Sequence, residues 1–419
     1  MKVIRPSGVS GRVTAPPSKS ATIRATAGAL LAEGVSEIMN PSFCEDATAA
    51  LSIAGALGAI STAGKGRILI HGTAGFTRLK TAPACINCGE SGLCIRMFPP
   101  IASLTGHPLV IGATGSLTIR PVDMVESLTH FGVVCTTTHG RPPVEIEGRL
   151  RGAAGHIDAS TSSQFLTGLL MALPLCDEDS RVHVRSLASR PYVEMTVAMA
   201  KEFGVTIDHD EDMALFTIAG RQQYRAAPVL IEGDWSGASF LFVAAAIAGS
   251  VSVEGLNMDS FQADKAILEA LDAAGAACHK GEHFVTVENN DLKPFEFDAK
   301  DCPDLVPPLV ALASHCRGKT TIHGTSRLRH KESDRAGALA SQFARMGVSV
   351  NVEPDRMDVQ GAQPGTAKVD SLGDHRIAMA CAVAALGAGG PVAISGPDCV
   401  AKSYREFFKD LDSIRSSHE

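Results

Sequence analysis

Six segments of the chain share one pattern of hydrophobic and polar positions. Each starts at a polar residue, continues through small apolar residues and, in most cases, reaches a Gly before a strand-like run. The six segments are SATIRATAGALLAEG, ESGLCIRMFPPIASLTG, SSQFLTGLLMALPL, SGASFLFVAAAIAG, DLVPPLVALASHCRG and DHRIAMACAVAALGAGG. Because apolar residues cover nearly every side of such a segment, the pattern predicts buried α-helices.

The leading residues of these segments recur at a nearly constant interval. They are Ser20, Ser91, Ser162, Ser236, Asp304 and Asp374, and the successive gaps are 71, 71, 74, 68 and 70 residues. Ser and Asp are favoured N-cap residues, because the side-chain oxygen accepts a free amide of the first turn. The interval predicts six repeats of about seventy residues.

Each repeat contains a second, amphipathic helix and several strands. Examples of the second helix are EDATAALSIAGALGA and ESDRAGALASQFARMGV, and short alternating runs such as VSVEGL and VSVNVEP surround them. Five of these helices are expected to end at glycines, which favour the left-handed conformation of a C-terminal cap. These glycines are Gly58, Gly132, Gly204, Gly275 and Gly347. One repeat therefore reads helix, strand, helix, strand, strand.

The ends of the chain are complementary. The sixth repeat stops after its second helix, whereas KVIRPS and RVTAPP form two strands before the first repeat begins. We therefore predict an α/β protein with two domains of three repeats each, in which the N-terminus joins the last repeat. One domain would span residues 20–232, and the other would combine residues 1–19 with 233–419. Common α/β composition would also produce similar helices, but not this interval with these ends.

Composition limits the possible partners. The chain has 419 residues, 45% of them apolar, and a formal net charge of −7, so no global field would attract nucleic acid or an anionic membrane. Any anion site must be a local group of cations. The first residues, MKVIRPSG, lack the apolar stretch of a signal peptide, and FLFVAAAIAG is too short to span a bilayer. We expect a cytoplasmic protein.

The eleven cysteines are scattered along the chain. Cys85 and Cys88 have the spacing of a zinc or redox motif, but no second pair follows at metal-ligand spacing. Free and mostly buried thiols are the favoured interpretation, and no metal site is predicted. The glycine-rich stretches GVSG and GATG match neither a P-loop nor a dinucleotide fingerprint.

Basic and polar residues stand at the predicted helix starts. They are Lys19, Ser20, Arg24, Arg96, Arg120, Ser162, Ser163, Gln164, Arg190, Lys331, Arg335, His375, Arg376 and Lys402. A solvated side chain would explain any single one of the cations. Cations are, however, unfavourable at helix N-termini, so their repeated placement indicates an anionic ligand between the domains.

Two carboxylates accompany these cations. Asp304 lies in DCPDLVPP and Glu332 lies in RHKESDR, a stretch that crowds both signs of charge into one turn. A helix cap would explain Asp304, and a surface ion pair would explain Glu332. Together with neighbouring cations they also form a workable acid–base set. We regard Asp334 as a structural partner of the cations, and His375 as a structural histidine.

Seven motifs carry a resemblance to a known family. PPSKSATIRA, DASTSSQFLTGLLMALP, SRPYVEMT, EGDWSGASF, DCPDLVPPL, RHKESDR and GDHRIAMA follow in order along the whole chain. In these motifs the chain closely resembles the 5-enolpyruvylshikimate-3-phosphate synthase (EPSP synthase) family of enolpyruvyl transferases. The resemblance implies two domains, each of three βαβαββ repeats in a six-fold repeated, inside-out α/β barrel, closing around substrate.

The resemblance also implies an activity. The family transfers the enolpyruvyl group of phosphoenolpyruvate to the 5-hydroxyl of shikimate 3-phosphate by addition and elimination, without a metal or organic cofactor. It implies Asp304, Glu332 and Lys19 as catalytic residues. The implied contacts of shikimate 3-phosphate are Lys19, Ser20, Arg24, Ser162, Ser163, Gln164, Ser189, Arg190, Tyr192, Asp304 and Lys331. The implied contacts of phosphoenolpyruvate are Lys19, Gly92, Arg120, Gln164, Arg335, Arg376 and Lys402. A monomer is expected.

One loop departs from the family pattern. The stretch usually written GNAGTAxRP appears here as GESGLCIRM, so Gly92 and Arg96 remain while Glu90, Leu93 and Met97 differ. Glu90 adds a negative charge beside the expected phosphoenolpyruvate pocket. Arg327 stands where the family commonly has an Asn.

Two other functions remain open from the residues alone. One is the sister enzyme that adds enolpyruvate to UDP-N-acetylglucosamine, or another enolpyruvyl transferase of this fold. The other is a non-catalytic anion-binding protein, although a binder would not need Lys19, Asp304 and Glu332 together.

Overall fold

The computed structural model describes residues 1–77 and 83–416, which form two compact units. Pro17–Ile231 forms a continuous unit, and Met1–Pro16 together with Glu232–Glu419 forms a discontinuous unit. Each unit encloses its own hydrophobic core. The chain starts in the discontinuous unit with β1 (Lys2–Ile4) and β2 (Val9–Thr14).

The continuous unit contains five α-helices and twelve strands in its described part. The helices are α1 (Lys19–Leu31), α2 (Glu45–Ala56), α3 (Gly92–Ser103), α4 (Gln164–Ala172) and α5 (Arg190–Glu202). The strands are β3 (Val35–Met39), β4 (Ile60–Gly64), β5 (Arg67–His71), β6 (Cys85–Asn87), β7 (Leu109–Gly112), β8 (Val134–Thr138), β9 (Arg141–Glu147), β10 (Ala154–Asp158), β11 (Ser180–Arg185), β12 (Asp208–His209), β13 (Leu215–Ile218) and β14 (Pro228–Leu230). Short 3₁₀ helices span Gly115–Ile119, Asp123–Phe131 and Leu173–Leu175.

The discontinuous unit continues with a similar set of elements. Its helices are α6 (Trp235–Ala248), α7 (Ile267–Ala273), α8 (Val306–Ser314), α9 (Arg335–Arg345), α10 (His375–Ala384) and α11 (Phe407–Ile414). Its remaining strands are β15 (Gly249–Glu254), β16 (Ala277–Lys280), β17 (Phe284–Glu288), β18 (Glu296–Asp298), β19 (Lys319–His323), β20 (Ser349–Val352), β21 (Arg356–Gln360), β22 (Ala367–Asp370) and β23 (Val392–Ser395). Its 3₁₀ helices span Ala263–Ala266, Pro303–Leu305, Ser326–His330, Ala385–Gly387 and Pro397–Lys402.

Six sheets repeat one strand order in the part of the chain that the structure describes. In the continuous unit the orders are β14-β3-β5-β4, β6-β7-β9-β8 and β10-β11-β13-β12. In the discontinuous unit they are β2-β15-β17-β16, β18-β19-β21-β20 and β22-β23-β1. The first pair in each order is parallel and every later pair is antiparallel. The predicted α/β repeats are therefore confirmed.

The two N-terminal strands join different repeats. β1 pairs with β23 of the sixth repeat, as expected from the ends of the chain. β2, by contrast, pairs in parallel with β15 of the fourth repeat, so the prediction that both strands complete the sixth repeat is wrong. The corresponding place beside β3 in the first repeat is taken by β14, from the end of the continuous unit. Each unit thus completes its first sheet with a strand that is distant in sequence: β14 from the end of the continuous unit, and β2 from the N-terminal segment of the discontinuous unit.

The six apolar segments form the buried helices α1, α3, α4, α6, α8 and α10, as predicted. Close approach of α3 and α4 depends on Gly168, where an added Cβ would lie 2.0 Å from the Met97 carbonyl oxygen. The five glycines expected to end the second helices all have positive φ, between 79° and 101°. One second helix differs in kind, because Asp123–Phe131 is a 3₁₀ helix and not the predicted α-helix.

Four of the six expected N-caps are shifted. Ser91 and Asp374 cap α3 and α10 as expected. Ser18, rather than Ser20, caps α1, and Asp234, rather than Ser236, caps α6. The third helix follows Ser163, and Asp304 lies inside the 3₁₀ turn that leads into α8. The side chains of Ser20, Ser236 and Asp304 therefore do not cap these helices and can form other interactions.

Candidate active site

In the discontinuous unit, the starts of three helices bring charged side chains together. Asp304 comes from the turn before α8, Arg335 is the first residue of α9, and Arg376 is the second residue of α10. Asp304 Oδ1 lies 2.9 Å from Arg335 Nη1 and 3.3 Å from Lys331 Nζ, and Asp304 Oδ2 lies 3.2 Å from Arg376 Nη2. We call Asp304, Lys331, Glu332, Arg335, Asp374 and Arg376 the Asp304 cluster.

Opposing effects set the charge of Asp304 and Lys331. Burial alone would raise the pKa of Asp304, but Arg376, Lys331 and Arg335 hold it well below its usual range. Burial lowers the pKa of Lys331 to about 8, although Asp304 opposes this shift. Asp304 is therefore ionised at neutral pH, and Lys331 is a cation that can lose its proton in mildly alkaline solution.

Arg335 is held by carboxylates on several sides. Its Nε donates to Asp374 Oδ2 at 2.9 Å, and its Nη2 forms an ion pair with Glu332. Burial alone would lower the pKa of Arg335, but Asp374, Glu332 and Asp304 raise it above its usual value. Asp374 also accepts from the Arg376 amide at 2.9 Å, so one buried carboxylate caps α10 and orients Arg335.

Four other charged or titratable residues of the discontinuous unit were singled out from the sequence and are not members of the Asp304 cluster. Lys402 is buried at the end of its 3₁₀ helix, and the Arg327 guanidinium donates to the Lys300 carbonyl. His375 is buried, with Nδ1 3.9 Å from Asp374 Oδ1. Asp334 caps α9 by accepting from the Gly337 amide, so its expected role as a partner of the cations is corrected to that of a cap.

In the continuous unit, Lys19 begins α1 and pairs with a residue of α2. Its Nζ lies 3.0 Å from Asp46 Oδ2, and Asp46 is buried. Ser20 follows Lys19 in the first turn of α1. The ammonium group of Lys19 thus has a fixed carboxylate partner, which restricts where it can meet a ligand.

Arg96 organises a second group in this unit. Its Nη1 donates to the Gly92 carbonyl and to Gln164 Oε1, both at 2.9 Å, and its Nη2 donates to the Pro121 carbonyl at 2.6 Å. Arg120 is buried and directly precedes Pro121. An added Cβ at Gly92 would lie 2.9 Å from Arg120 Nη2 and 3.0 Å from Arg96 Nη1. Gly92, Arg120 and Gln164 are therefore brought together around Arg96.

Arg24 is buried among three helices. Its Nε donates to Thr196 Oγ1 at 2.9 Å, its Nη1 to the Ser20 carbonyl at 3.0 Å and its Nη2 to the Tyr192 carbonyl at 3.1 Å. Burial lowers the pKa of Arg24 to about 10. The guanidinium thus fixes the positions of Ser20 and Tyr192.

The remaining residues that the resemblance implies for shikimate 3-phosphate lie at the starts of α4 and α5. Ser162 Oγ accepts from the Gln164 amide at 3.2 Å, and Ser163 is buried. Ser189 has a φ of 53° immediately before α5, which begins at Arg190. Arg190 Nε lies 3.2 Å from the Glu194 carboxylate of the same helix.

The comparisons with known proteins identify the family. A sequence model described as EPSP synthase (3-phosphoshikimate 1-carboxyvinyltransferase) matches residues 3–411. The chain belongs to the EPSP synthase family. The 3-phosphoshikimate 1-carboxyvinyltransferases of Methanocorpusculum labreanum and Methanoculleus marisnigri are 37% and 38% identical to it, with 98% of each chain covered. The relative of the same name from Aeropyrum pernix is 38% identical, covering 98% of this chain and 94% of its own.

Solved structures confirm the fold. Two structures of EPSP synthase from Acinetobacter baumannii match with TM-scores of 0.83 and 0.82 and cover at least 98% of either chain, at 24% and 23% identity. The chain therefore has the two-domain enolpyruvyl transferase fold, as the resemblance implied. The comparisons favour a transferase of the EPSP synthase family over the sister enzyme that uses UDP-N-acetylglucosamine.

The loop in which this EPSP synthase family member departs from the common pattern has a defined structure. Glu90 accepts from the Ser116 hydroxyl at 2.7 Å and from the Ser116 amide at 3.2 Å. Leu93 and Met97 are buried on α3. Glu90 therefore ties the start of α3 to the 3₁₀ helix Gly115–Ile119, which leads directly to Arg120.

Sequence reasoning missed three functional candidates. Asp46 reads as an ordinary acidic residue in the first turn of α2, and nothing nearby signals its ion pair with Lys19. Asp374 was expected only to cap a helix, yet it also holds Arg335. Asp264 reads as one charge on an amphipathic helix, yet it is buried and bonded to Ser236. All three pairings depend on contacts between elements that are distant in sequence.

Among residues 1–77 and 83–416, no group of three or more His, Cys, Asp or Glu side chains is arranged to hold a metal ion. Over the same ranges, no helix combines the length and apolar character needed to cross a membrane. All eleven cysteines are free thiols, and eight of them are buried, whereas Cys85 is exposed.

Proposed function

We propose that this chain transfers the enolpyruvyl group of phosphoenolpyruvate to the 5-hydroxyl of shikimate 3-phosphate and releases phosphate. Its membership of the EPSP synthase family is the background for this proposal. The observation that carries it is the Asp304 cluster, in which a partly buried carboxylate is kept ionised by three cations that could also hold anionic substrates. We further infer a cytoplasmic monomer.

The proposed contacts divide between the two substrates. For shikimate 3-phosphate they are Lys19, Ser20, Arg24, Ser162, Ser163, Gln164, Ser189, Arg190, Tyr192, Asp304 and Lys331. For phosphoenolpyruvate they are Lys19, Gly92, Arg120, Gln164, Arg335, Arg376 and Lys402. Among these, Arg24 would act partly by fixing Ser20 and Tyr192, because the backbone carbonyl oxygens of both residues accept hydrogen bonds from its guanidinium.

The proposed reaction has two steps. In the addition, Asp304 takes the proton of the 5-hydroxyl while that oxygen bonds to C2 of phosphoenolpyruvate, and Glu332 with Lys19 delivers a proton to C3. In the elimination, the methyl group returns a proton to Glu332, the C2–C3 double bond re-forms, and the C2–O bond to phosphate breaks. The fixed cations stabilise the charge on the departing phosphate.

Substrate binding would also activate Asp304. A carboxylate whose pKa is held far below its usual range is a weak base. Anionic substrate groups would share Arg335, Arg376 and Lys331 with it, which weakens the stabilisation of its charged form and raises its pKa. Asp304 would thus become a better base when the site is loaded.

Phosphate release tests the proposal. The wild-type protein is mixed with phosphoenolpyruvate and either shikimate 3-phosphate or UDP-N-acetylglucosamine, with and without a metal chelator. We expect release only with the first acceptor, unaffected by the chelator. The Asp304→Asn variant should retain acceptor binding while kcat falls by about 10²–10⁴-fold, the usual range for loss of a general base. No release with shikimate 3-phosphate would refute the proposed function.

A further inference from the structure

The carboxyl group of Asp264 is buried in the unit that contains Asp304. Asp264 lies in the 3₁₀ helix Ala263–Ala266 and has no exposed surface. Its Oδ2 accepts a hydrogen bond from the Ser236 hydroxyl. Its Oδ1 is buried and has no hydrogen-bond partner within the described ranges. A carboxylate this buried and this incompletely bonded is costly, so it calls for a functional explanation.

Asp264 is connected to Asp304 through two side chains. Arg376 Nη2 donates to Ser236 Oγ at 2.7 Å and to Asp304 Oδ2 at 3.2 Å. A guanidinium only donates, so the Ser236 oxygen must accept from Arg376 and its hydrogen must point to Asp264. An ionised Asp264 satisfies this direction, because it can only accept. We call Asp264, Ser236, Arg376 and Asp304 the Asp264 chain.

We propose that Asp264 is a positioning residue that orients Arg376 through the Ser236 hydroxyl and strengthens Asp304 as a base through its negative charge. This inference rests on the proposed function, in which Asp304 takes the proton of the acceptor hydroxyl. Asp264 itself touches no substrate in this assignment. Its effect on the reaction passes through Arg376 and through the electrostatic field at Asp304.

The electrostatic coupling supports this role. Burial, followed by the charge of Asp304, raises the pKa of Asp264 to about 6, against the lowering effect of Arg376. Coupling between two titrating groups is reciprocal, so the charge of Asp264 raises the pKa of Asp304 in turn. The charge of Asp234 also raises the pKa of Asp264, and Asp264 in turn raises the pKa of the Cys302 thiol and of Arg376. Below pH 6, protonation of Asp264 would therefore make Asp304 a weaker base.

The decisive experiment compares kcat of the wild-type protein and Asp264→Asn from pH 5 to pH 8.5. We expect kcat of the variant to be about tenfold lower at pH 8, the effect of about one pKa unit in Asp304, with both KM values nearly unchanged. We expect the ratio of the two kcat values to approach one below pH 6, where the wild-type carboxyl is itself neutral. Ionisation of the substrates cancels in this ratio, because both proteins receive the same substrates.

Two further variants separate this role from a purely structural one. Glu232 is a partly buried carboxylate of the same unit that accepts hydrogen bonds from Ser260 and Gln262 and lies outside the Asp264 chain. For Glu232→Gln, the ratio of wild-type to variant kcat should not change with pH. Ser236→Ala removes the donor to Asp264, so the pKa of Asp264 should rise and the acid limb of kcat should move to higher pH. That shift remains measurable if Asp264→Asn does not fold.

The outcomes distinguish the two proposals. Wild-type protein that releases no phosphate refutes the proposed function, and the role of Asp264 falls with it. If the wild-type protein is active but the ratio of wild-type to Asp264→Asn kcat is constant over the pH range, only the role of Asp264 is refuted. If the acid limb of kcat lies at the same pH in Ser236→Ala as in the wild-type protein, the Ser236 hydroxyl does not connect Asp264 to Arg376 in the proposed way.

Discussion

At the scale of single residues, Asp304 and Lys331 form a partly buried ion pair in which one of the two charges can still be lost near neutral pH. Burial disfavours both charges, while the attraction across 3.3 Å favours both. Arg335 and Arg376 add to the stabilisation of Asp304, but Arg335 opposes the charge on Lys331. Asp304 therefore stays ionised over the whole physiological range, while Lys331 lies close to its point of proton loss.

Lys331 should make acceptor use sensitive to alkaline pH. Since its pKa is lowered to about 8, Lys331 is charged below that pH and progressively neutral above it. We expect kcat/KM for shikimate 3-phosphate to fall up to tenfold per pH unit above pH 8, because one of the cations proposed to bind this anionic substrate loses its charge. Lys331→Arg, which stays charged, should lack this alkaline limb. Parallel profiles of the two proteins to pH 9.5 would contradict this assignment.

Gly92 should control the use of phosphoenolpyruvate. An added Cβ would lie 2.9 Å from Arg120 Nη2 and 3.0 Å from Arg96 Nη1, so these two guanidinium groups must shift. We expect Gly92→Ala to raise KM for phosphoenolpyruvate about tenfold, equivalent to about 1.4 kcal/mol. The melting temperature should hardly change, because the displaced atoms are side-chain ends. An equal rise in KM for shikimate 3-phosphate would place Gly92 elsewhere in the site.

The basic residues proposed for the site stand out in the sequence because cations are unusual at helix starts. A cation such as Lys19, Arg335 or Arg376 at a helix N-terminus is unfavourable unless an anion offsets it. The partners that supply this anion in the structure, Asp46 and Asp374, could not be assigned from sequence. Acidic residues are favoured in the first turn of a helix and at its N-cap, so the helix alone accounts for Asp46 and Asp374 and the sequence gives no sign of their cationic partners.

At the scale of elements, the crossing of α3 and α4 should depend on Gly168. An added Cβ would lie 2.0 Å from the Met97 carbonyl oxygen, which is backbone and cannot move without the helix. We expect Gly168→Ala to lower the free energy of unfolding by about 1–3 kcal/mol, measured in urea.

Gly55 provides the matched control for that prediction. It is an exposed helical glycine in α2, and an added Cβ would meet no atom within 4 Å. Gly55→Ala should raise the free energy of unfolding by about 0.5–1 kcal/mol, because it reduces the freedom of the unfolded chain. If Gly168→Ala had the same free energy of unfolding as the wild-type protein, α3 and α4 could move apart without loss of stability.

The existence of the helices was easier to predict than their first residues. Ser18 and Ser20 are the same residue type two positions apart, so residue type alone cannot decide which one caps α1. The backbone decides, since Ser18 is extended with ψ at 114° and Lys19 already begins the helix. The glycines that end the second helices were predictable, because φ near 80° excludes most other residues.

At the scale of the whole molecule, strand partners could not be read from local pattern. β2 and β14 are short strands that pair in parallel with β15 and β3, which are distant in sequence. Alternation of polar and apolar residues identifies a strand but does not name its neighbour. Composition and repeat interval therefore predicted two domains of three repeats, while the sheet that β2 joins required the structure.

This topology predicts which fragments of the chain can fold. Residues 17–231 contain every strand of their three described sheets, whereas residues 232–419 lack β1 and β2. We expect residues 17–231 alone to give a cooperative unfolding transition by circular dichroism. We expect residues 232–419 alone to show little protection from hydrogen exchange at β15 and β23, whose backbone groups lose their partners.

A fused fragment tests whether the missing strands are the cause. The Pro16 carbonyl accepts from the Asp234 amide at 2.7 Å, so residues 1–16 can be joined to residues 232–419 through a short glycine linker. The fused chain should regain protection at β15 and β23. A matched control carries Val13→Pro, which lies within β2 and faces Val253 of β15, and it should lose protection at β15 while keeping it at β23, because Pro disrupts that ladder. If β15 and β23 were as well protected in residues 232–419 alone as in the fused chain, this unit would not need its N-terminal strands.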